Sequence, residues 1–74
     1  MNDNKQIYDD VIHELGHAFM EYGEFTSIHE GIGVLQEEVN ELWDAVQSND
    51  EDDVYDEATQ VAAMAMKIMY FLSK

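Results

Sequence analysis

Cysteine, proline and arginine are all missing from this 74-residue chain. Without cysteine there is no disulfide, no thiolate nucleophile and no zinc site of the cysteine type, and the redox compartment is left open. Without proline, and with glycine only at Gly16, Gly23, Gly31 and Gly33, few points interrupt the backbone, so a small number of long helices is expected. Positive charge is scarce as well: three lysines stand against seventeen aspartates and glutamates, for a formal net charge of −14. Binding DNA or RNA relies on several cationic contacts to phosphate, so the composition argues against a nucleic-acid partner. There is no long apolar run either. The longest, residues 61–72, is interrupted by Lys67 and is far shorter than the roughly 20 residues of a membrane span. The N-terminal segment lacks the basic start and apolar middle of a signal peptide. A cytoplasmic protein with no membrane partner is therefore expected, forming one domain over residues 1–74. A chain of this size buries only roughly 60% of its unfolded surface, so its core is small and an oligomeric partner is a natural supplement.

What remains is helical periodicity. Ile7, Val11, Leu15, Ala18 and Tyr22 recur at spacings of three and four and mark a first helix over about residues 4–22, with Gly23 as its stop. Ser27 followed by Glu30 is a capping-box signature for a second helix running to about residue 47. Its core stripe is expected to be Ile32, Leu35, Val39, Leu42 and Val46, with Trp43 beside it. The acidic segment 50–53 suits a helix N-terminus, where carboxylates meet the positive end of the dipole, and a third helix is expected over about 52–72. Eleven of the twelve residues from 61 to 72 are apolar. A helix that is apolar all round is normally buried all round, so a second subunit is expected against it, with Ala58, Ala62, Ala63 and Ala65 permitting close approach. The fold class expected is all-α: three helices in a bundle that assembles as a homodimer or homotetramer.

The chemistry is concentrated in Glu37, Glu38 and Glu41 on the second helix and Glu57 with Gln60 on the third. Carboxylates three and four residues apart share one side of a helix, so two such segments packed together can surround a divalent cation with hard oxygen ligands. With Val39 taken as the centre of the core stripe, Glu38 falls at its edge and Glu37 and Glu41 nearly opposite it. Acids on an outer helix face are ordinarily solvated. Here, however, no basic residues at i+4 relieve their repulsion, and a cation would.

The pattern EExxE, a gap, then ExxD is the signature of the MazG-like all-α nucleoside triphosphate pyrophosphohydrolases. Glu37, Glu38 and Glu41 match its first half and Glu57 opens its second. Over residues 23–72 the chain resembles the small MazG-like proteins of bacteriophages and prophages. The resemblance implies a dimeric or tetrameric helical bundle, Mg²⁺ (or Mn²⁺) held by Glu37, Glu38, Glu41 and Glu57, and cleavage of a nucleoside triphosphate to monophosphate and pyrophosphate. Glu38 and Glu41 carry the catalytic role in this reading, and the host cytoplasm is the compartment if the protein is phage-encoded. The departure is Gln60, where the pattern has Asp. Its amide oxygen can ligate a cation, but it brings no negative charge and cannot take up a water's proton. Phosphate-binding cations are limited to Lys5, Lys67 and Lys74; Lys67, two turns beyond Gln60 on the same face, is the best placed. Asn40 and Trp43 complete the nucleotide-binding candidates, Trp43 as one of four aromatics, with Tyr22, Phe25 and Tyr55, able to stack on a base or simply fill core.

A second motif competes for attention. His13-Glu14-Leu15-Gly16-His17 reads as HExxH, the zinc-protease helix. The extended form of that motif fails, because Met20 stands in place of its glycine and Gly23 in place of its third histidine. Both histidines lie opposite the apolar stripe, as surface or interface residues do. Three readings follow: a Mg²⁺-dependent nucleotide pyrophosphohydrolase; a non-catalytic nucleotide binder that sequesters a signalling nucleotide, as in phage anti-defence; and a helical interaction module with no ligand.

Overall fold

A computed structural model describes residues 3–73; Met1, Asn2 and Lys74, the last of these a phosphate-binding candidate above, lie outside the described residues. Three helices account for the architecture, α1 (Asn4–Tyr22), α2 (Ile28–Ser48) and α3 (Glu51–Leu72), with no strand among the described residues. The fold is all-α.

Each helix is opened by a side chain that satisfies a free backbone N–H. Asp3 accepts from the Gln6 N–H at 2.9 Å, Ser27 from the Glu30 N–H at 3.0 Å, and Asp50 from the Asp53 N–H at 3.2 Å. The Glu30 carboxylate reaches back to accept from the Thr26 N–H at 2.7 Å, one residue earlier than the usual reciprocal partner. The first turn of α3 carries Glu51, Asp52 and Asp53, which favour the dipole's positive end. Gly23 ends α1 at φ 71°, a conformation that suits glycine, and its N–H bonds to the Phe19 carbonyl. Asn49 ends α2 in the left-handed helical region, with φ 61° and ψ 25°. No helix is long and apolar enough to cross a membrane among the described residues.

The helices do not form a closed triangle. α3 packs against both α1 and α2, whereas the backbones of α1 and α2 do not approach one another among the described residues. The apolar run of α3 is thus packed on two sides by its own chain, with Met69, Tyr70 and Leu72 still exposed. Ala63, at the crossing, is completely buried, and Ala18, Phe25 and Met64 join it in a core flanked by Val11, Leu15, Val34, Leu35, Ile68 and Phe71. The core is thin, since no large side chain is fully buried among the described residues.

The face that α2 turns to α3 differs from the expected stripe. Gly31 and Ala45 are buried, with Val34, Leu35, Glu38 and Leu42 half-buried between them, while Ile32, Val39, Trp43 and Val46 are exposed. The centre of the packed face is therefore near Glu38, about 100° round the helix from Val39. Small residues explain the rotation: they let α2 sit close to α3, whereas weighing large apolar residues alone selects the neighbouring face. The closeness is greatest at Gly31, where a Cβ would fall 2.9 Å from Ile68 Cγ1 and 3.1 Å from Phe25 Cδ2.

Two glycine substitutions test this packing. Gly31→Ala gains helix propensity of about 1 kcal/mol but forces Ile68 and Phe25 aside, at an overpacking penalty of about 1–3 kcal/mol, so a net loss of stability is expected. Gly16→Ala on α1 meets nothing within 4 Å and is expected to stabilise by roughly 0.5–1 kcal/mol. Urea denaturation of the two variants should move the midpoint in opposite directions; equal stabilisation by both would contradict the close approach.

Candidate metal centre

The rotation of α2 decides the geometry of the acids. Glu38 projects from the packed face toward α3, Glu41 lies less than a turn further along at the solvent edge, and Glu57 comes from the N-terminal half of α3. One carboxylate oxygen from each of these three residues lies within 4.8 Å of the others, and no second group of three or more ligand side chains does so among the described residues. Glu38 and Glu57 are half-buried and Glu41 is exposed. One side of the group is thus open to water.

Two of the oxygens have no partner. Glu38 Oε2 and Glu57 Oε2 are buried and accept no hydrogen bond. Leaving a buried acceptor unsatisfied costs about 1–3 kcal/mol, and more when it is charged. Nor does a basic residue offset the charge: the described ion pairs join Lys5 to Asp9 at 2.9 Å and His17 to Glu21 and Glu14 at 3.6 and 3.9 Å. The carboxyls respond by holding their protons. Burial, then the Glu41 carboxylate beside it, push the Glu38 pKa from 4.5 up to about 7. Burial and the same neighbour raise that of Glu57, with further repulsion from Asp53 and Asp56. Three converging carboxylates, two orphaned oxygens and one wet side fit a hard divalent cation such as Mg²⁺, which prefers oxygen ligands and retains several waters.

Glu38 also lines a cleft of about 750 Å³ that opens between α1 and α2, where those helices diverge. Gln60, Met64 and Lys67 of α3 form part of its lining. Lys67 is only 3% exposed. Its Nζ stands 4.3 Å from the Phe25 ring centroid and 5.2 Å from that of Phe19, two cation–π contacts that help tolerate the charge in a partly dry position. Burial lowers the Lys67 pKa, and the Glu30 carboxylate opposes that shift.

The other sequence candidates fall as follows. Glu37 is exposed and lines the cleft, outside the three-carboxylate group. Gln60, less than one turn beyond Glu57, lines both this cleft and a smaller hollow with Asp10, His13 and Tyr55. Asn40 and Trp43 are exposed on α2 and line neither. Phe25 serves the core, and its ring covers Lys67. The histidines of HExxH do not assemble into a ligand group: His17 lines the cleft and His13 the smaller hollow. Glu14 between them was missed as a site residue. It lines both cavities, and its charge adds to the repulsion at Glu38. Its spacing offered the signal, because Glu14 precedes the buried Ala18 by four residues and so sits on the packed side of α1.

The raised pKa has a direct consequence. The folded state keeps the Glu38 proton up to about pH 7, while the unfolded chain releases it near 4.5, so stability falls as pH rises between those values. Thermal melts without divalent cation should show this loss, Mg²⁺ should reverse it at pH 8, and Glu38→Gln should flatten the pH dependence in that window. An unchanged profile in Glu38→Gln would place the pH dependence elsewhere in the acidic surface. Comparison of the chain with protein-family models, curated proteins and solved structures finds no match in any of the three.

Proposed function

We propose that this protein is a MazG-like, Mg²⁺-dependent nucleotide pyrophosphohydrolase of the cytoplasm, acting on a nucleoside triphosphate bound in the cleft between α1 and α2. The observation that carries the reading is the convergence of Glu38, Glu41 and Glu57 around two buried, unpartnered oxygens at the margin of a cleft that also contains a buried lysine.

In this reading Glu38, Glu41 and Glu57 hold the cation, with Mn²⁺ as an alternative to Mg²⁺, and Glu37 and the Gln60 amide face the same ligand from the cleft wall. A bound Mg²⁺ supplies charge neutralisation for phosphate oxygens and makes water a stronger acid. Lys67 contributes the positive charge that an acidic cleft otherwise lacks, and its contacts with the Phe25 and Phe19 rings favour that charge. Water attacks the α-phosphorus, the bond from that phosphorus to the α–β bridging oxygen breaks, and pyrophosphate leaves with the electron pair. Glu41, the exposed member of the group, takes the water's proton and passes it to solvent.

Gln60 favours a second reading, in which the nucleotide is bound and kept intact. An amide at that position adds no charge to the cation site and accepts no proton. Such a protein sequesters a signalling nucleotide instead of consuming it.

A panel of nucleotides, cyclic and dinucleotide signals included, incubated with the protein and Mg²⁺ or Mn²⁺, separates the readings. Chromatography should show pyrophosphate release that is lost in Glu38→Gln and Glu41→Gln, and Gln60→Asp should raise both Mg²⁺ affinity and turnover. Recovery of intact nucleotide from a tight complex would select the binder. Absence of both cleavage and calorimetric binding across the panel would refute both readings and leave the helical interaction module.

A further inference from the structure

Glu14, the acid between the two histidines of α1, is brought to the carboxylate group by the register of α1 against α3. Tyr55 of α3 donates a hydrogen bond to the Asp10 carboxylate, one turn before Glu14. One turn after it, Ala18 enters the core with Ala63 and Met64. The two helices therefore run parallel, and Glu14 stands level with Thr59, between Glu57 and Gln60. At about 1.5 Å of rise per residue, Glu57 and Gln60 both lie within about 3 Å of that level along the helix axis. The cavities give the same placement. Among the described residues, Glu14 and Gln60 are the two that line both the large cleft and the smaller hollow, so together they form the partition between them. Glu38 faces the same cleft from α2, and the Glu14 charge is felt there. Glu14 itself is half-buried. Its described ion pair is a 3.9 Å approach to His17, an exposed side chain that lies nearer to Glu21, at 3.6 Å.

We infer that Glu14 supplies to the site of Glu38, Glu41 and Glu57 the negative charge that Gln60 omits, by accepting hydrogen bonds from water on a divalent cation held there. The inference rests on the cation site proposed above and adds a residue from a third helix to it. Glu14 does not belong to the group whose oxygens lie within 4.8 Å of one another, so its contact runs through water and not by direct ligation. That suits magnesium, which retains several of its waters. A carboxylate that accepts hydrogen bonds from those waters orients them and adds to the charge that sets cation affinity. The Gln60 amide at the same partition accepts a hydrogen bond but brings no charge. The charge absent from α3 is thus provided from α1, across the end of the cleft. Glu14 is a positioning residue in this arrangement. Glu21 lines the cleft from the same helix but lies seven residues on, about 10 Å further along the axis, out of reach of the group.

Titration calorimetry with Mn²⁺ alone, on the full chain without nucleotide, tests the assignment. Glu14→Gln keeps the shape of the side chain and should weaken Mn²⁺ binding about tenfold, the lower end of what removing a group that orients a metal's ligands costs. Glu21→Gln removes the same charge from the same cleft and should leave the affinity unchanged. Adding Gln60→Asp to Glu14→Gln should restore most of the lost affinity, because it returns a carboxylate to the other side of the partition. Circular dichroism of each variant reads whether it is folded. Wild-type affinity in Glu14→Gln would overturn the inference, as would an equal loss in Glu21→Gln or a double variant no better than Glu14→Gln. A wild-type chain that binds no Mn²⁺, or binds it as tightly after Glu38→Gln, would remove the cation site itself and this role of Glu14 with it.

Discussion

Three carboxylates share a small, half-buried volume between α2 and α3, and the rest of the molecule is arranged around that electrostatic burden. Like charges at such separations repel strongly where water is partly excluded, and each orphaned oxygen adds its own desolvation cost. Proteins meet this burden by protonation, by a basic partner or by a cation. The described ion pairs place no base beside the group, and a pKa near 7 for Glu38 shows that protonation gives only partial relief at neutral pH. A divalent cation would relieve the remainder, which is why the cluster carries more weight than the abundance of acids in the chain.

The backbone arrangement that produces this burden is set by small residues. Gly31 and Ala45 allow α2 to approach α3, and the approach turns Glu38 inward while leaving Ile32, Val39 and Val46 outside. One rotation of α2 therefore creates both the carboxylate group and the uncharged apolar row. The same economy of size is visible at Ala63, where α3 has only a methyl group to bury beneath its neighbours. The divergence of α1 from α2 then opens the cleft, with Lys67 held under the rings of Phe25 and Phe19.

Much of this was legible in the sequence, for physical reasons that can be named. Helix ends were readable because capping is local: Ser27 with Glu30, Gly23, and the acidic start of α3 all act where their spacing indicated. Glu38, Glu41 and Glu57 were among the acids marked by helical spacing, but Glu37, marked with them, falls outside the group because it lies further round α2 from the face that meets α3. The orientation of α2 was not, because it carries two apolar faces and the choice between them depends on how closely two backbones approach, a tertiary quantity. α1 and α2 of the same chain cover part of the apolar run of α3 while Met69, Tyr70 and Leu72 stay exposed, a division that the periodicity of one helix does not encode. Glu14 was obscured by a louder motif: as part of HExxH it read as chemistry on α1 alone, while its electrostatic influence is on Glu38 of a different helix.

Everything proposed for this chain turns on whether Glu38, Glu41 and Glu57 bind a divalent cation. Electron paramagnetic resonance of free Mn²⁺ titrated with protein at pH 7.5 tests it most directly, since the sharp six-line signal of the free ion broadens away on binding. Saturable loss of that signal is expected, competed by Mg²⁺ and abolished in Glu38→Gln and Glu57→Gln. A signal that persists at full intensity, or a loss that both variants leave intact, would contradict it.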